Sequence, residues 1–199
     1  MLSHTTVLEF ENKIANYFGS AFAVATDSCT HAIELCLRYT KFNNVKCPAQ
    51  TYLSVPMTFV KLGLNWAFRK YDWQDYYWID NTNIIDAATY WQEDGYIPGS
   101  FMCLSFQHQK TLSLGRGGAI LCNNEDDYII LKQMSHDGKD YFSNKPWREQ
   151  SIERMGYHYY MTPETAELGL SKLETAINTP PVRWKVTDWP DLRNMGVFK

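Results

Sequence analysis

Lys110 and Asp86 have the side-chain types and the sequence positions of reactive groups. Lys110 lies in a loop between two apolar segments, and its primary amine can form a Schiff base with a carbonyl compound. Asp86 follows Ile84 and Ile85 at the end of an apolar run, where a carboxylate is costly to bury without a cationic partner. Each residue alone also fits an ordinary interpretation, in which Lys110 is a solvated surface charge and Asp86 caps the following turn.

An anion-binding turn is predicted where an apolar strand leads into a helix, at the segment 27–30, Asp-Ser-Cys-Thr. The start of a helix presents free backbone N–H groups, and the Ser and Thr hydroxyls of this segment add donors. Ser105, after another apolar run, adds a further hydroxyl. The same segment also fits ordinary helix capping. Tyr52 offers an aromatic face, although core packing would explain it equally well.

Together these groups match what pyridoxal 5′-phosphate requires. The cofactor needs an amine that holds it as a Schiff base, a carboxylate for its ring nitrogen, a phosphate cradle and an aromatic face. The candidates all lie at strand ends or strand-to-helix turns, where ligands bind in open parallel sheets. The sequence therefore predicts a pyridoxal-phosphate site.

The composition indicates one globular domain, or one domain with a short appendage. The chain has 199 residues, of which 45% are hydrophobic, 15% aromatic and 21% charged, so disorder is excluded. The net charge of −3 gives no electrostatic reason to expect nucleic acid or an anionic membrane as a partner. No apolar run reaches the roughly 18 residues of a membrane helix.

The cysteines favour a reduced, cytoplasmic protein without a metal site. Their number is odd, and they form neither a CxxC motif nor a Cys/His cluster. The N-terminal segment MLSHTTVLEFENK lacks the layout of a signal peptide. The cysteines are Cys29, Cys36, Cys47, Cys103 and Cys122.

Helices and strands alternate along the chain. Helices are predicted over 7–18, 28–40, 51–62, 125–136 and 162–177, and strands over 21–26, 45–48, 64–71, 83–88, 101–106 and 117–122. This alternation predicts an α/β fold with three α/β/α layers and a mostly parallel sheet. Residues 72–83 show no clear period. We expect residues 1–177 to form one domain and residues 178–199, which contain three prolines, to form an irregular, partly docked arm.

Five segments carry a more specific pattern and follow one another in order over most of residues 8–175. They are FENKIANYFGSAFAVATDSCTHAIELCL, PAQTYLSVPMTF, IIDAA, SFQHQKTLSLGRGGAILCN and GYHYYMTPETAELGLSKLE. In this order they resemble the opening helix, strand and "SGT" turn, the "P-x-x-T-aromatic", "EDAA" and "SFxxxKxxxxGEGG" segments, and the "GYNYRMTELQAALGLxQL" segment of the DegT/DnrJ-type nucleotide-sugar aminotransferases. This is a fold-type-I family that uses pyridoxal phosphate.

The resemblance implies the large domain of a pyridoxal-phosphate transferase, in a reduced form. The family has a longer stretch between Arg69 and Asp86, and after Glu174 it continues into a small domain that is largely missing here. Lys110 would be the Schiff-base lysine and the proton shuttle of transamination. The implied cofactor-binding residues are Cys29, Thr30, Tyr52, Asp86, Thr89, Ser105, Lys110 and His158.

The resemblance also implies a homodimer with shared sites, because His158 matches the family's asparagine that reaches the neighbouring subunit's phosphate. Four further positions depart from the family pattern. Cys29 replaces a glycine of the phosphate turn, Arg116 replaces a glutamate, and Tyr160 replaces an arginine. Thr89 stands where the family usually has Gln or His.

The implied activity is transfer of an amino group, with glutamate as the donor, to a keto sugar linked to a nucleotide. Two alternatives remain open at this point. The chain could bind the cofactor with little or no catalysis, since it is short. It could also be a related sugar dehydratase, although such relatives generally replace the lysine with histidine and Lys110 is retained.

Overall fold

The computed structural model describes residues 4–199, so the first three residues of the N-terminal segment lie outside the described residues. Five α-helices form within this range. They are α1 (His4–Phe18), α2 (Cys29–Thr40), α3 (Ser54–Lys61), α4 (Glu125–Ser135) and α5 (Pro163–Ile177). In the described part of the chain, no helix is both long enough and apolar enough to cross a membrane.

The strands form one five-stranded sheet, in the order β1-β7-β6-β5-β4, and a two-stranded sheet of β2 and β3. They are β1 (Phe22–Thr26), β2 (Asn44–Pro48), β3 (Asn65–Arg69), β4 (Tyr77–Trp78), β5 (Ile84–Asp86), β6 (Phe101–Ser105) and β7 (Gly118–Cys122). An isolated antiparallel bridge between Lys46 and Asp80 links the two sheets.

The larger sheet is mixed. β5 and β6 pair in parallel, whereas β7 is antiparallel to both β6 and β1, so that β1, β5 and β6 share one direction. β7 runs the opposite way because residues 106–117 contain no helix that could return the chain for a parallel pairing. The two-residue strand β4 is also antiparallel to its neighbour β5. The α/β class is confirmed, while the expected mostly parallel arrangement holds for three of the five strands.

Two apolar layers cover the faces of the sheet, as predicted for an α/β/α arrangement. In β6 and β7, alternate side chains belong to different core clusters, as the period of two in a strand requires. Met102 and Leu121 pack in the cluster that includes residues of α1 and α5. Phe101 and Ile120 pack in the cluster that includes residues of α2, α3 and α4.

The register brings the predicted chemical groups to one edge of the sheet. Thr26, the last residue of β1, and Ser105, the last residue of β6, both pair with Gly118, the first residue of β7. Asp86 ends β5 and pairs with Cys103, two residues before the end of β6. The same space is therefore bordered by the turn after β1, the Asp86 carboxylate at the end of β5 and the loop after β6.

Residues 178–199 pack on this edge through short 3₁₀ turns. These are Val186–Asp188, Leu192–Asn194 and Gly196–Phe198. Leu192 is buried, and Phe198 makes edge contacts with the rings of Trp66 and Phe68.

Candidate active site

A cleft of about 210 Å³ lies at the edge where β1, β5 and β6 end. Its lining brings together seven of the eight binding residues predicted from the sequence. They are Cys29, Thr30, Tyr52, Asp86, Thr89, Ser105 and Lys110. Residues far apart in the chain thus converge on one space large enough to admit a ligand.

Asp86 lies on the floor of the cleft with both oxygens hydrogen-bonded. Tyr77 donates its hydroxyl to Oδ2 at 2.5 Å, and the Ala88 N–H donates to Oδ1 at 3.0 Å. Burial raises the pKa of Asp86, while these two hydrogen bonds and the positive charge of Lys110 act to lower it. A cationic nitrogen in the cleft would therefore find a positioned carboxylate that gains from a positive partner.

Lys110 lies half-buried in the loop between β6 and β7, and its amine faces aromatic rings. Nζ is 5.2 Å from the ring centroid of Trp184 and 6.0 Å from that of Trp189. Burial lowers the pKa of Lys110, while the nearby Asp86 acts to raise it. Within residues 4–199, Nζ has neither a hydrogen-bond acceptor nor an ion-pair partner, so it is free to react.

The opposite end of the cleft is the N-terminus of α2, which suits an anion. The cap residue Ser28 accepts the N–H of His31 at 3.2 Å, which leaves the N–H groups of Cys29 and Thr30 without a partner inside the helix. The Thr30 hydroxyl lies 2.8 Å from the Ser54 hydroxyl at the start of α3. Backbone N–H groups at a helix N-terminus and neighbouring hydroxyls are donors of the kind that bind phosphate.

Cys29 replaces a glycine of the family pattern without filling the cradle. Its thiol points into the core, where Sγ lies 3.5 Å from the Cys103 carbonyl oxygen. The tight contact is at Gly118 instead, because a Cβ atom added there would lie 2.5 Å from the backbone nitrogen of Cys29. The turn is therefore held against β7 by a glycine on the neighbouring strand.

Arg116 adds a positive charge at the rim of the cradle. Its guanidinium donates to Asp27 Oδ2 at 2.8 Å and to the Asp27 carbonyl oxygen at 3.1 Å. The side chain is 69% exposed and lines the cleft as well as a neighbouring depression. The reversal from glutamate thus places a cation beside the predicted anion site.

Three further predicted residues line the cleft, and each contacts a different part of the chain. Tyr52 is 54% exposed, and its ring centroid lies 6.0 Å from that of Trp189. The hydroxyl of Thr89 donates to the Asp75 carbonyl at 2.5 Å. Ser105, at the end of β6, accepts the N–H of Gln107 at 3.4 Å.

His158 lies apart from the other predicted residues. It lines a separate depression next to Arg116, and its Nδ1 lies 3.1 Å from a carboxylate oxygen of Asp137. Its side chain is 71% exposed. Within this chain it therefore does not meet the phosphate cradle, and a role at a neighbouring subunit's cradle stays a prediction.

Three residues of this region were not predicted from the sequence: Tyr77, Trp184 and Trp189. Tyr77 lies in a segment without a clear period, and both tryptophans lie in the irregular C-terminal segment. The high density of aromatic residues in segments without a regular period was the only available signal.

Comparison with known proteins identifies the family. The sequence model of the DegT/DnrJ/EryC1/StrS aminotransferase family matches residues 2–93 and 87–188. The chain belongs to this family. Its residues thus carry the family pattern across both the cradle and the lysine loop.

Solved structures share the fold of this family member. AtS13 from Actinomadura melliaura is 19% identical with a TM-score of 0.74, over 87% of this chain and 60% of that one. The sugar aminotransferase CalS13 from Micromonospora echinospora is 15% identical with a TM-score of 0.71, over 87% and 61%. Spr1654 from Streptococcus pneumoniae, in its PMP form, is 19% identical with a TM-score of 0.71, over 87% and 61%. The chain thus spans about 60% of the length of these proteins.

The residues present fit a pyridoxal-phosphate group. The thiol of Cys29 leaves the cradle open, and Asp86 and the unpaired amine of Lys110 line the same cleft. A phosphate, a pyridine nitrogen and an aldehyde would each have a complementary group in this donor set.

Proposed function

We propose that this family member binds pyridoxal 5′-phosphate and acts as an aminotransferase. One observation carries the proposal: Lys110 and Asp86 line one cleft that also contains the N-terminus of α2. An amine, a carboxylate and a helix N-terminus in one small cleft then match the aldehyde, the ring nitrogen and the phosphate of one cofactor.

In this proposal each side chain has a separate task. The N–H groups of Cys29 and Thr30, with Ser105, hold the phosphate, and Asp86 pairs with the ring nitrogen. Tyr52 and Thr89 line the ring. When bound, the cofactor supplies an electron-withdrawing ring that stabilises negative charge on the substrate carbon.

Lys110 is the group that binds the cofactor and moves the proton. Its desolvated surroundings lower the pKa of Nζ and favour the neutral amine, which can accept a proton from a substrate carbon. The Trp184 and Trp189 rings exclude water from one side of this amine. Asp86 is held in the same cleft by the hydroxyl of Tyr77.

We propose glutamate as the amino donor and a keto sugar linked to a nucleotide as the acceptor. Membership of an aminotransferase family supports the reaction class, and CalS13, a sugar aminotransferase, supports the sugar. The PMP form of Spr1654 supports a cofactor that carries the amino group between two half-reactions.

A second candidate function is cofactor binding without efficient turnover, which the same cleft would support. A dehydratase is the weaker alternative, because Lys110 occupies the loop.

We also propose a homodimer and a cytoplasmic location. The 71% exposure of His158 leaves it available to a neighbouring subunit's cradle. The five cysteines are buried and unpaired, which suits a reducing compartment.

The test is the absorption spectrum of the purified chain with added pyridoxal 5′-phosphate, before and after addition of L-glutamate. We expect a cofactor band that changes on addition of glutamate, with release of 2-oxoglutarate, and neither signal in Lys110→Ala. A band that ignores glutamate would support cofactor binding without turnover. Absence of any band would contradict both functions.

A further inference from the structure

Residues 182–192, here called the strap, border the cleft and are fixed to three other parts of the chain. The backbone contacts are Val182 N–H to Thr111 Oγ1 (3.1 Å), Asp75 N–H to the Trp184 carbonyl (2.8 Å) and Leu192 N–H to the Ala49 carbonyl (2.8 Å). An ion pair between Arg183 and Asp75 and the buried side chain of Leu192 add to this attachment. The strap therefore holds its side chains in defined positions.

Two strap side chains, Trp184 and Trp189, lie beside the reactive amine. Their ring centroids are 5.6 Å apart, and both rings face Lys110 Nζ. The Gln50 side chain donates to the Trp189 carbonyl at 3.1 Å, which fixes that residue where it lines the cleft. A ligand that reaches Lys110 must therefore pass next to aromatic faces.

The indole N–H groups of both tryptophans are buried and unpaired in the described part of the chain, as is that of Trp91, which lines a small depression with Trp184 and Lys110. This is unusual, because a buried indole N–H normally finds an acceptor. Trp73, which packs against Trp189, shows the ordinary case, since its Nε1 donates to the Gln50 carbonyl at 2.9 Å. Two unpaired donors beside a cleft call for acceptor oxygens from a ligand.

Building on the proposed function, we infer that Trp184 and Trp189 determine specificity for the sugar of the substrate. Their faces suit the apolar C–H face of a pyranose ring, and their N–H groups suit its oxygens. Such a ligand satisfies both features of the site at once. A small amino acid, charged at both ends, offers no apolar face of this size, so the pair would serve the sugar and not the amino donor.

The experiment compares Trp184→Phe, Trp189→Phe and the double variant with the matched control Trp147→Phe. Trp147 is 56% exposed and belongs to a separate turn, Trp147–Glu149. Calorimetric titration of the cofactor-loaded chain with UDP-glucose and dTDP-glucose measures sugar-nucleotide affinity without turnover. The spectral response to L-glutamate measures the donor side.

Each strap substitution should lower the affinity for at least one sugar nucleotide about three- to tenfold, the cost of one neutral hydrogen bond. The corresponding Ala variants, which also lose the ring face, should lose more. Trp147→Phe should bind like the wild type, and in the strap Phe variants the sugar-nucleotide affinity should fall by a larger factor than the glutamate response. Since Phe keeps most of the ring, the Phe variants test the N–H groups even if the Ala variants unfold.

Wild-type affinity in the double Phe variant would overturn the inference, as would an equal loss of sugar-nucleotide affinity and glutamate response. Failure of the cofactor-loaded wild type to bind either sugar nucleotide would also overturn it. By contrast, failure of borohydride to fix the cofactor to Lys110 in the wild type would overturn the proposed function.

Discussion

Two lysine–carboxylate sets in this molecule differ in the contact between the partners. Lys132 Nζ and Glu11 Oε1 are 2.5 Å apart, and the two side chains are 0% and 3% exposed. Lys110 and Asp86, in the described residues, form no ion pair but line the same cleft. Burial raises the pKa of the carboxyl group and lowers the pKa of the amine in both sets.

The difference separates a structural pair from a proposed functional one. Glu11 also accepts the Ala25 N–H at 2.6 Å, so the closed pair joins α1, α4 and β1. Lys110 and Asp86 form no such bond to each other, and the amine of Lys110 is left beside aromatic rings. Because both residues line one cleft, a ligand in the cleft can contact both. We therefore propose that the open set is a binding site.

Removal of the open lysine should have the largest effect on function. Lys110→Ala loses the amine that we propose binds the cofactor and moves the proton, so amino transfer from glutamate should fall by at least about 10³-fold. The measurement is 2-oxoglutarate release, with the exposed-loop variant Lys145→Ala as the control. Activity in Lys110→Ala above a tenth of the wild type would contradict the assignment.

Removal of the closed lysine should instead affect stability. Lys132→Met leaves the Glu11 carboxylate buried without its cation, and the free energy of unfolding should fall by about 3–5 kcal/mol. The double variant Glu11→Gln/Lys132→Met should recover much of this loss, because no charge is then buried. Urea denaturation measures both. A loss below about 1 kcal/mol in Lys132→Met would mean that the pair is not structural.

Asp86→Asn should change the pH dependence with which Lys110 binds the cofactor. The negative charge of Asp86 acts to raise the pKa of Lys110, so its removal should shift the amine's titration further below the ordinary value of 10.5. The rate at which pyridoxal 5′-phosphate captures the amine should then rise at lower pH than in the wild type. Cofactor retention should weaken about tenfold, because the ring nitrogen loses its partner. An unchanged pH profile would place Asp86 too far away to act.

Glu34 gives the smallest expected effect and extends the comparison to a closed set in which a buried carboxylate binds two partly exposed cations, Arg38 and Lys61. Burial alone would raise the pKa of Glu34, but hydrogen bonds from Lys61 and Arg38 outweigh it and hold the pKa below its ordinary value. A depressed folded-state pKa stabilises the fold above the unfolded-state pKa, and this stabilisation disappears as pH falls through the folded-state value.

Glu34→Gln should therefore cost about 1 kcal/mol of unfolding free energy at neutral pH and flatten the loss of stability on acidification. Urea unfolding at several pH values from 7 down to about 3 measures this. If the unfolding free energy fell equally with decreasing pH in Glu34→Gln and in the wild type, these contacts would contribute nothing.

Local sequence patterns predicted most of the elements but not how they pair. Regular periods located all five helices and every strand except β4, whose two residues are too few to show a period. The antiparallel direction of β7 depends on contacts distant in sequence. The ends of predicted strands and a helix N-cap located Asp86, Ser105 and Ser28–Thr30, because strand ends and caps can be recognised from neighbouring residues in the sequence. The strap could not be predicted, because its conformation depends on attachment to Ala49, Asp75 and Thr111.

Borohydride reduction of the chain with pyridoxal 5′-phosphate, followed by peptide mapping, tests the central claim most directly. The amine of Lys110 is desolvated and unpaired, whereas that of Lys132 is closed against Glu11. The reduced cofactor should therefore be found on the peptide that contains Lys110 and be lost in Lys110→Ala. Labelling spread over surface lysines, or fixed on Lys132, would contradict the assignment of the open set as the cofactor site.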